Sequence, residues 1–161
     1  MTGDIFLKLD GIDGESTDRA HAGEIEVLAW SWGVARSGSA FETGGAGTAK
    51  AGFQDMAITK RVDLASPVLW YHCVQGRVIA EGRLTVRAAA EDPVESLVLS
   101  LRGITVGSVS AGGGDGAGTT ERVTLNFAGF DLRYAGRKDG GGEGATKTFG
   151  WDIRANQGGV R

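Results

Sequence analysis

Apolar and polar positions alternate in short runs separated by glycine-rich turns, a pattern that predicts strands far more than helices. Near the start, Ile5, Leu7 and Leu9 face one way and Phe6 and Lys8 the other, a short half-buried strand. The strongest run is residues 24–33. Ile25, Val27 and Ala29 share one parity, Trp30, Trp32 and Val34 the other, and Leu28 stands where the phase changes. Successive strand side chains point to opposite faces, so a phase change inside one run predicts a β-bulge or a strand covered on both faces. Trp30 and Trp32 are the natural core anchors, which turns Ser31, together with Ala29, to the opposite face.

Further strands are predicted over residues 53–59, over 78–88 (Leu84, Val86 and Ala88 in phase), and from Leu97 through Leu99 and Leu101. That last strand switches phase at Gly103 to Ile104 and Val106. The next, with Val123, Leu125 and Phe127, switches at Gly129 to Phe130, Leu132 and Tyr134. Two long strands that each change phase at a glycine predict bends at the corners of a barrel. Phe149, Trp151 and Ile153 make a last strand, with residues 155–161 expected to fray. One helix is predicted, with Ser66 as N-cap, Pro67 as its first residue, an apolar stripe of Leu69, Trp70, Cys73 and Val74, and Gly76 closing it. The expected fold is a mostly β single domain over residues 1–161: an antiparallel β-barrel, or two tightly packed sheets, with one short α-helix.

Composition narrows the function classes. The 161 residues suffice for one core, and the 28 glycines, against a usual share of about 7%, collect mainly in loops. Residues 37–52 form a Gly-rich connection long enough to be functional or disordered. A net charge of −3 argues against nucleic-acid binding, and no apolar run reaches the ~18 residues a membrane helix needs. The N-terminus enters a strand at once without a signal-peptide pattern, and the single Cys73 has no partner for an internal disulfide. These features predict cytoplasmic synthesis, with any export by another route.

Candidate chemistry fails motif by motif. Residues 44–50 resemble a phosphate loop superficially, but Lys50 has Ala49 and Ala51 where glycine and a hydroxyl residue are needed, and a strand follows. Asp10 and Asp13 are misspaced for a calcium loop. Gly112, Gly114 and Ala117 fit a dinucleotide pattern in letters alone, since a strand follows them as well. His72 and Cys73 are helical neighbours that point apart, and His21 has no nucleophile in sequence reach. No enzyme, cofactor or metal is expected. A non-catalytic β-barrel binding module for a small ligand or a protein partner fits this inventory.

The run EIEVLAWSWG, preceded by GESTDRAH and followed by SGS, is similar to the haemolysin-coregulated protein (Hcp) family, the tube component of type VI secretion. The similarity continues in order through QDMAITKRVDLASP, GRVIAEGRLTVRAA, RVTLNFAGFDLRY and FGWDIRAN, nearly the whole chain. The resemblance implies a homo-hexameric ring, rings stacked into an inner tube, a spike protein at the tip, a contractile sheath around it and effector proteins in the lumen, with export through the apparatus. Neither nucleic acid nor membrane insertion is implied. With that resemblance the small residues Ser31 and Ala29 become lumen or cargo candidates. Ser37, Gly38, Ser39, Phe41, Glu42 and Lys50, in the segment matching the family's extended loop, become ring-stacking candidates. No large C-terminal extension follows the last strand, so no effector fused at that end is expected.

Overall fold

Two long antiparallel strands organise the chain, and every other strand except one pair is laid against them or their neighbours. The computed structural model describes residues 4–36, 50–88 and 93–161. In chain order it contains β1 (Ile5–Leu9), β2 (Ile25–Glu26), β3 (Ala29–Ser31), β4 (Val34–Arg36), β5 (Ala51–Phe53), β6 (Met56–Arg61), α1 (Ala65–Gln75), β7 (Ile79–Arg87), β8 (Glu95–Gly112), β9 (Thr120–Arg137), β10 (Glu143–Asp152) and β11 (Gln157–Val160). The main sheet runs β11-β10-β9-β8-β7-β1-β2, with β6 paired to the first part of β9 and β3 paired to β6. β4 and β5 pair separately. The class is mostly β with one helix.

The expected corners are where the glycines put them. Arg102 pairs with Gly129 and Ile104 with Phe127 in one unbroken register, so β8 and β9 change phase on facing rungs and bend together. Gly103 has φ 60, a conformation that is cheap for glycine and strained for other residues. A second irregularity, at Gly107 between Val106↔Leu125 and Ser108↔Thr124, keeps Val109 facing inward with Val123. The bend divides the sheet. Met56, Ile58, Val123 and Leu125 on one half pack in the same buried cluster as Leu84, Leu99, Leu101 and Phe130 on the other.

Residues 25–31 are not the single long strand expected. Leu7 pairs with Ile25, but Trp30 pairs with Ile58. The exchange falls at Val27 and Leu28: Val27 N–H donates to the Ile5 carbonyl (3.0 Å), and Leu28 N–H donates to the Thr59 carbonyl (2.8 Å). The phase change at Leu28 is therefore a change of partner. It also means that no continuous hydrogen-bond ladder closes the barrel; the chain itself crosses between the two edges.

Four other expectations change. Leu64, and not Ser66, occupies the helix N-cap; Ser66 is buried in the first turn, and Asp63 Oδ1 accepts from Ala65 N–H (3.0 Å). Gly76 closes α1 in the left-handed region as expected, but the apolar stripe is narrower, with Leu69 and Cys73 on the core and Val74 80% exposed. The C-terminus does not fray: Asn156 (φ 55) turns the chain and β11 pairs back on β10, Trp151 opposite Gly158. Finally, Phe6 is as buried as Leu7, because residues 14–24 cover the outer face of β1.

Candidate functional site

The two faces of the strand divide as parity predicts. Trp30 and Trp32 pack against the core, and Ala29 and Ser31 are exposed on the other side of the strand. The register extends that face across four strands. Ser31 stands opposite Ala57 and Ala29 opposite Thr59; Ala57 then meets Thr124 and Thr59 meets Arg122; Thr124 meets Ser108 and Arg122 meets Ser110. Thus a chain of one-rung neighbours runs Ser31–Ala57–Thr124–Ser108, every member small. Ser108 Oγ and Thr124 Oγ1 are 2.6 Å apart, and Asn126 Nδ2 donates to Asp55 Oδ1 (3.0 Å) at one end of the face. At the other end stand Arg61 and Arg122, both exposed. Nothing in the periodicity singled out Thr59, Ser108, Arg122 or Thr124. The parity of Thr59 against Ile58, and of Arg122 and Thr124 against Val123, was readable. Ser108 shares the parity of Val106 and reaches this face only through the irregularity at Gly107, and the register that joins all four was not readable.

The reverse of this face is rigid. Trp32 lies against Phe53 (5.9 Å between centroids), Phe127 (5.3 Å) and Phe130 (4.8 Å), and its Nε1–H donates to the Gln54 carbonyl (2.9 Å). Lys60, fully buried on β6, places Nζ 2.6 Å from Glu121 Oε1 on β9 and 2.7 Å from Asp63 Oδ1. Ser66 Oγ (2.6 Å) and Trp70 Nε1 (3.1 Å), both from α1, donate to the Glu121 carboxylate. Burial pushes Glu121 up, but the hydrogen bonds from Lys60, Ser66 and Trp70, with the Lys60 charge, hold its carboxyl below the ordinary value. This network fastens the helix to the back of the small-residue face.

The arm candidates divide. Ser37, Gly38, Ser39, Phe41 and Glu42 lie outside the described residues. Lys50 is exposed and immediately precedes β5. Ala51 and Gly52, expected in the loop, belong to a strand: Val34↔Phe53, Ala35↔Gly52 and Arg36↔Ala51 form an antiparallel root for residues 37–50.

The histidines sit apart from both features. His21 is buried, stacked on Phe6 (4.4 Å, 8°), with Nδ1 2.8 Å from Glu24 Oε2 and Nε2 2.9 Å from Glu95 Oε1. Beside it Arg87 makes two hydrogen bonds to Asp18, which hold that carboxyl below its ordinary value. The arrangement ties residues 14–24 to β1, β7 and β8. Among the described residues no group of three or more His, Cys, Asp or Glu is placed to hold a metal ion, and no helix is long and apolar enough to cross a membrane.

Comparison with known proteins agrees with this architecture. Residues 6–134 match the family model described as "Type VI secretion system effector, Hcp". The chain is 43% identical to Protein hcp1 of Pseudomonas aeruginosa over 159 residues, 97% of this chain and 98% of that protein. It superposes on the crystal structure of Hcp1 from Salmonella typhimurium with a TM-score of 0.80 and 34% identity, covering 98% of this chain and 99% of that one. A crystal structure of a type VI secretion system effector from Yersinia pestis gives 0.75 and 29%, covering 93% and 100%.

Proposed function

The chain belongs to the Hcp family of secreted type VI secretion proteins, and we propose that it is the structural subunit of the inner tube, six copies closing into a ring and rings stacking end to end. The observation that carries this reading is the four-strand face of short side chains, with Ser31 and Ser108 exposed, Thr59 and Thr124 half-buried and Ala57 buried among them, backed by an aromatic core. An outer sheet face made of short polar side chains suits the wall of a passage, where bulk would obstruct transit. The edge strands β3 and β11 favour head-to-tail pairing, which yields a finite object when the rotation closes.

In this assembly Ser31 and Ala29 face the lumen and contact effector proteins. Ser37, Gly38, Ser39, Phe41, Glu42 and Lys50 reach the next ring from the paired root of β4 and β5. The spike protein at the tip and the surrounding sheath are the remaining partners. The protein is made in the cytoplasm and leaves through the apparatus. Light scattering at micromolar concentration, with negative-stain imaging, tests the assembly: six subunits in rings, unchanged by reductant, are expected. A monomer at all concentrations would sink the tube reading and favour a binding module.

A further inference from the structure

We infer that Arg122, with Arg61 beside it, makes the small-residue face selective for cargo that presents carboxylates. This rests on the lumen reading above. Arg122 is on β9 opposite Thr59 and Ser110, two strands from Ala29 and so roughly 10 Å from it. Arg61 projects from the same face of β6 one step along, diagonal to Arg122, a spacing of about 7–8 Å. Their cross-strand partners are Thr59, Thr120 and Ser110, none of which carries a charge.

Neither guanidinium is within 4.0 Å of a carboxylate among the described residues. This contrasts with Arg87, Arg102 and Arg133, each ion-paired on other faces of the fold. Glu121, adjacent to Arg122 in sequence, points inward to Lys60 and is lost to the face. Arg61 borders Glu15, Glu26 and Asp63, of which Asp63 is held by Lys60 and Glu15 accepts from Leu64 N–H, so Arg122 is the less compensated of the two. At the other end of the face Asp55, just before β6, is engaged by Asn126. Two like charges at this spacing repel one another, and short neighbours leave their forks accessible. A carboxylate brought between them gains from both positive charges. Complementarity of this kind sets partner choice and encounter rate more than total affinity.

The test uses purified wild-type, R61Q/R122Q, R61K/R122K and K8Q/R83Q proteins. Lys8 and Arg83 form an exposed cationic pair on the other half of the sheet. Each protein is titrated against a fluorescein-labelled decaglutamate peptide, with decalysine as control, and each is sized by light scattering. Expected are a roughly tenfold loss of decaglutamate affinity in R61Q/R122Q, retention within about twofold in R61K/R122K and K8Q/R83Q, and weakening with added salt. Equal decaglutamate affinity in wild-type and R61Q/R122Q rings overturns the charge assignment alone. An R61Q/R122Q protein that folds but forms no ring overturns it too, by placing the arginines in the subunit contact. A monomeric wild type removes the lumen reading, whichever way the peptide titration falls.

Discussion

Lys60 Nζ and Glu121 Oε1 stand 2.6 Å apart across β6 and β9, and neither side chain has any exposed surface. Removing one partner of such a pair strands the other in a low dielectric, at a cost of about 3–5 kcal/mol. Lys60→Met is therefore expected to be among the most damaging single changes, measurable by urea denaturation. The double change Lys60→Met with Glu121→Met should recover much of the loss, although Ser66 and Trp70 also lose their acceptor. A double variant no better than the single one would show that the helix contacts matter more than the charge pair.

The same carboxylate sets a pH dependence. Glu121 is held below its ordinary value of 4.5, so its folded form binds fewer protons than its unfolded form. Its stabilisation is complete above that value and is lost as pH falls through the lower folded one. Asp18, held down by Arg87, acts in the same direction from its ordinary value of 3.8. Urea midpoints should fall steeply on acidification below about 4.5, and less steeply in Glu121→Gln. Parallel pH profiles for wild type and variant would rule out this source.

Ser31 and Trp30 are adjacent residues with opposite expectations. Ser31→Arg, on an exposed position, should change stability by less than about 0.5 kcal/mol while reducing effector capture in a pull-down. Trp30 is half-buried against the core, so Trp30→Ala should cost about 3 kcal/mol, the lower end for such truncations. A Ser31→Arg protein that melts far below wild type would reverse the two faces. One that keeps every cargo would end the lumen role.

His21→Ala would leave Glu24 buried, with Oε1 already lacking a partner among the described residues and Oε2 newly deprived of one. A loss of about 2–3 kcal/mol is expected, concentrated as faster amide exchange over residues 14–24. His21→Phe should restore the stack on Phe6 without the two polar contacts and fall between. Uniform exchange across the chain would mean that the covering segment does not open independently.

Gly158 and Gly159 make a matched pair. A Cβ on Gly158 would run into the Gly150 carbonyl, whereas one on Gly159 meets nothing within 4 Å. Gly158→Ala should unpair β11 at a cost of about 1–3 kcal/mol, and Gly159→Ala should be nearly silent in a thermal melt. Equal melting temperatures would show that β11 contributes little.

Periodicity made the corners legible because Gly103 and Gly129 interrupt long, cleanly alternating strands, and phase is a property of each strand alone. It also revealed the opposed faces of Trp30 and Ser31. What it missed depends on partners. The break at Val27 and Leu28 is a handover between distant strands, invisible in an unbroken apolar run. Ser66 has the chemistry of a cap but is drawn inward to Glu121, leaving Leu64 at the end of the helix. β11 reads Gln-Gly-Gly-Val, with no alternation to see, and exists because Gly158 permits a close approach to β10. The small-residue face needed the β3–β6–β9–β8 register, which joins residues far apart in sequence.

The handover at Val27 and Leu28 also fixes an order of events in folding. Its two short ladders need β1 on one side and β6 on the other, and β6 is itself anchored on β9, far along the chain. Contacts of such long sequence separation form after the loops between them have closed. The barrel is therefore expected to shut along this seam, with residues 25–31 as the last stitch, set once both β1 and β6 are in place. Until then Trp30 and Trp32 remain wet, so indole fluorescence in a refolding experiment should reach its native value only in the slowest phase. Because that same stitch carries Ser31, the small-residue face is complete only when the subunit itself is.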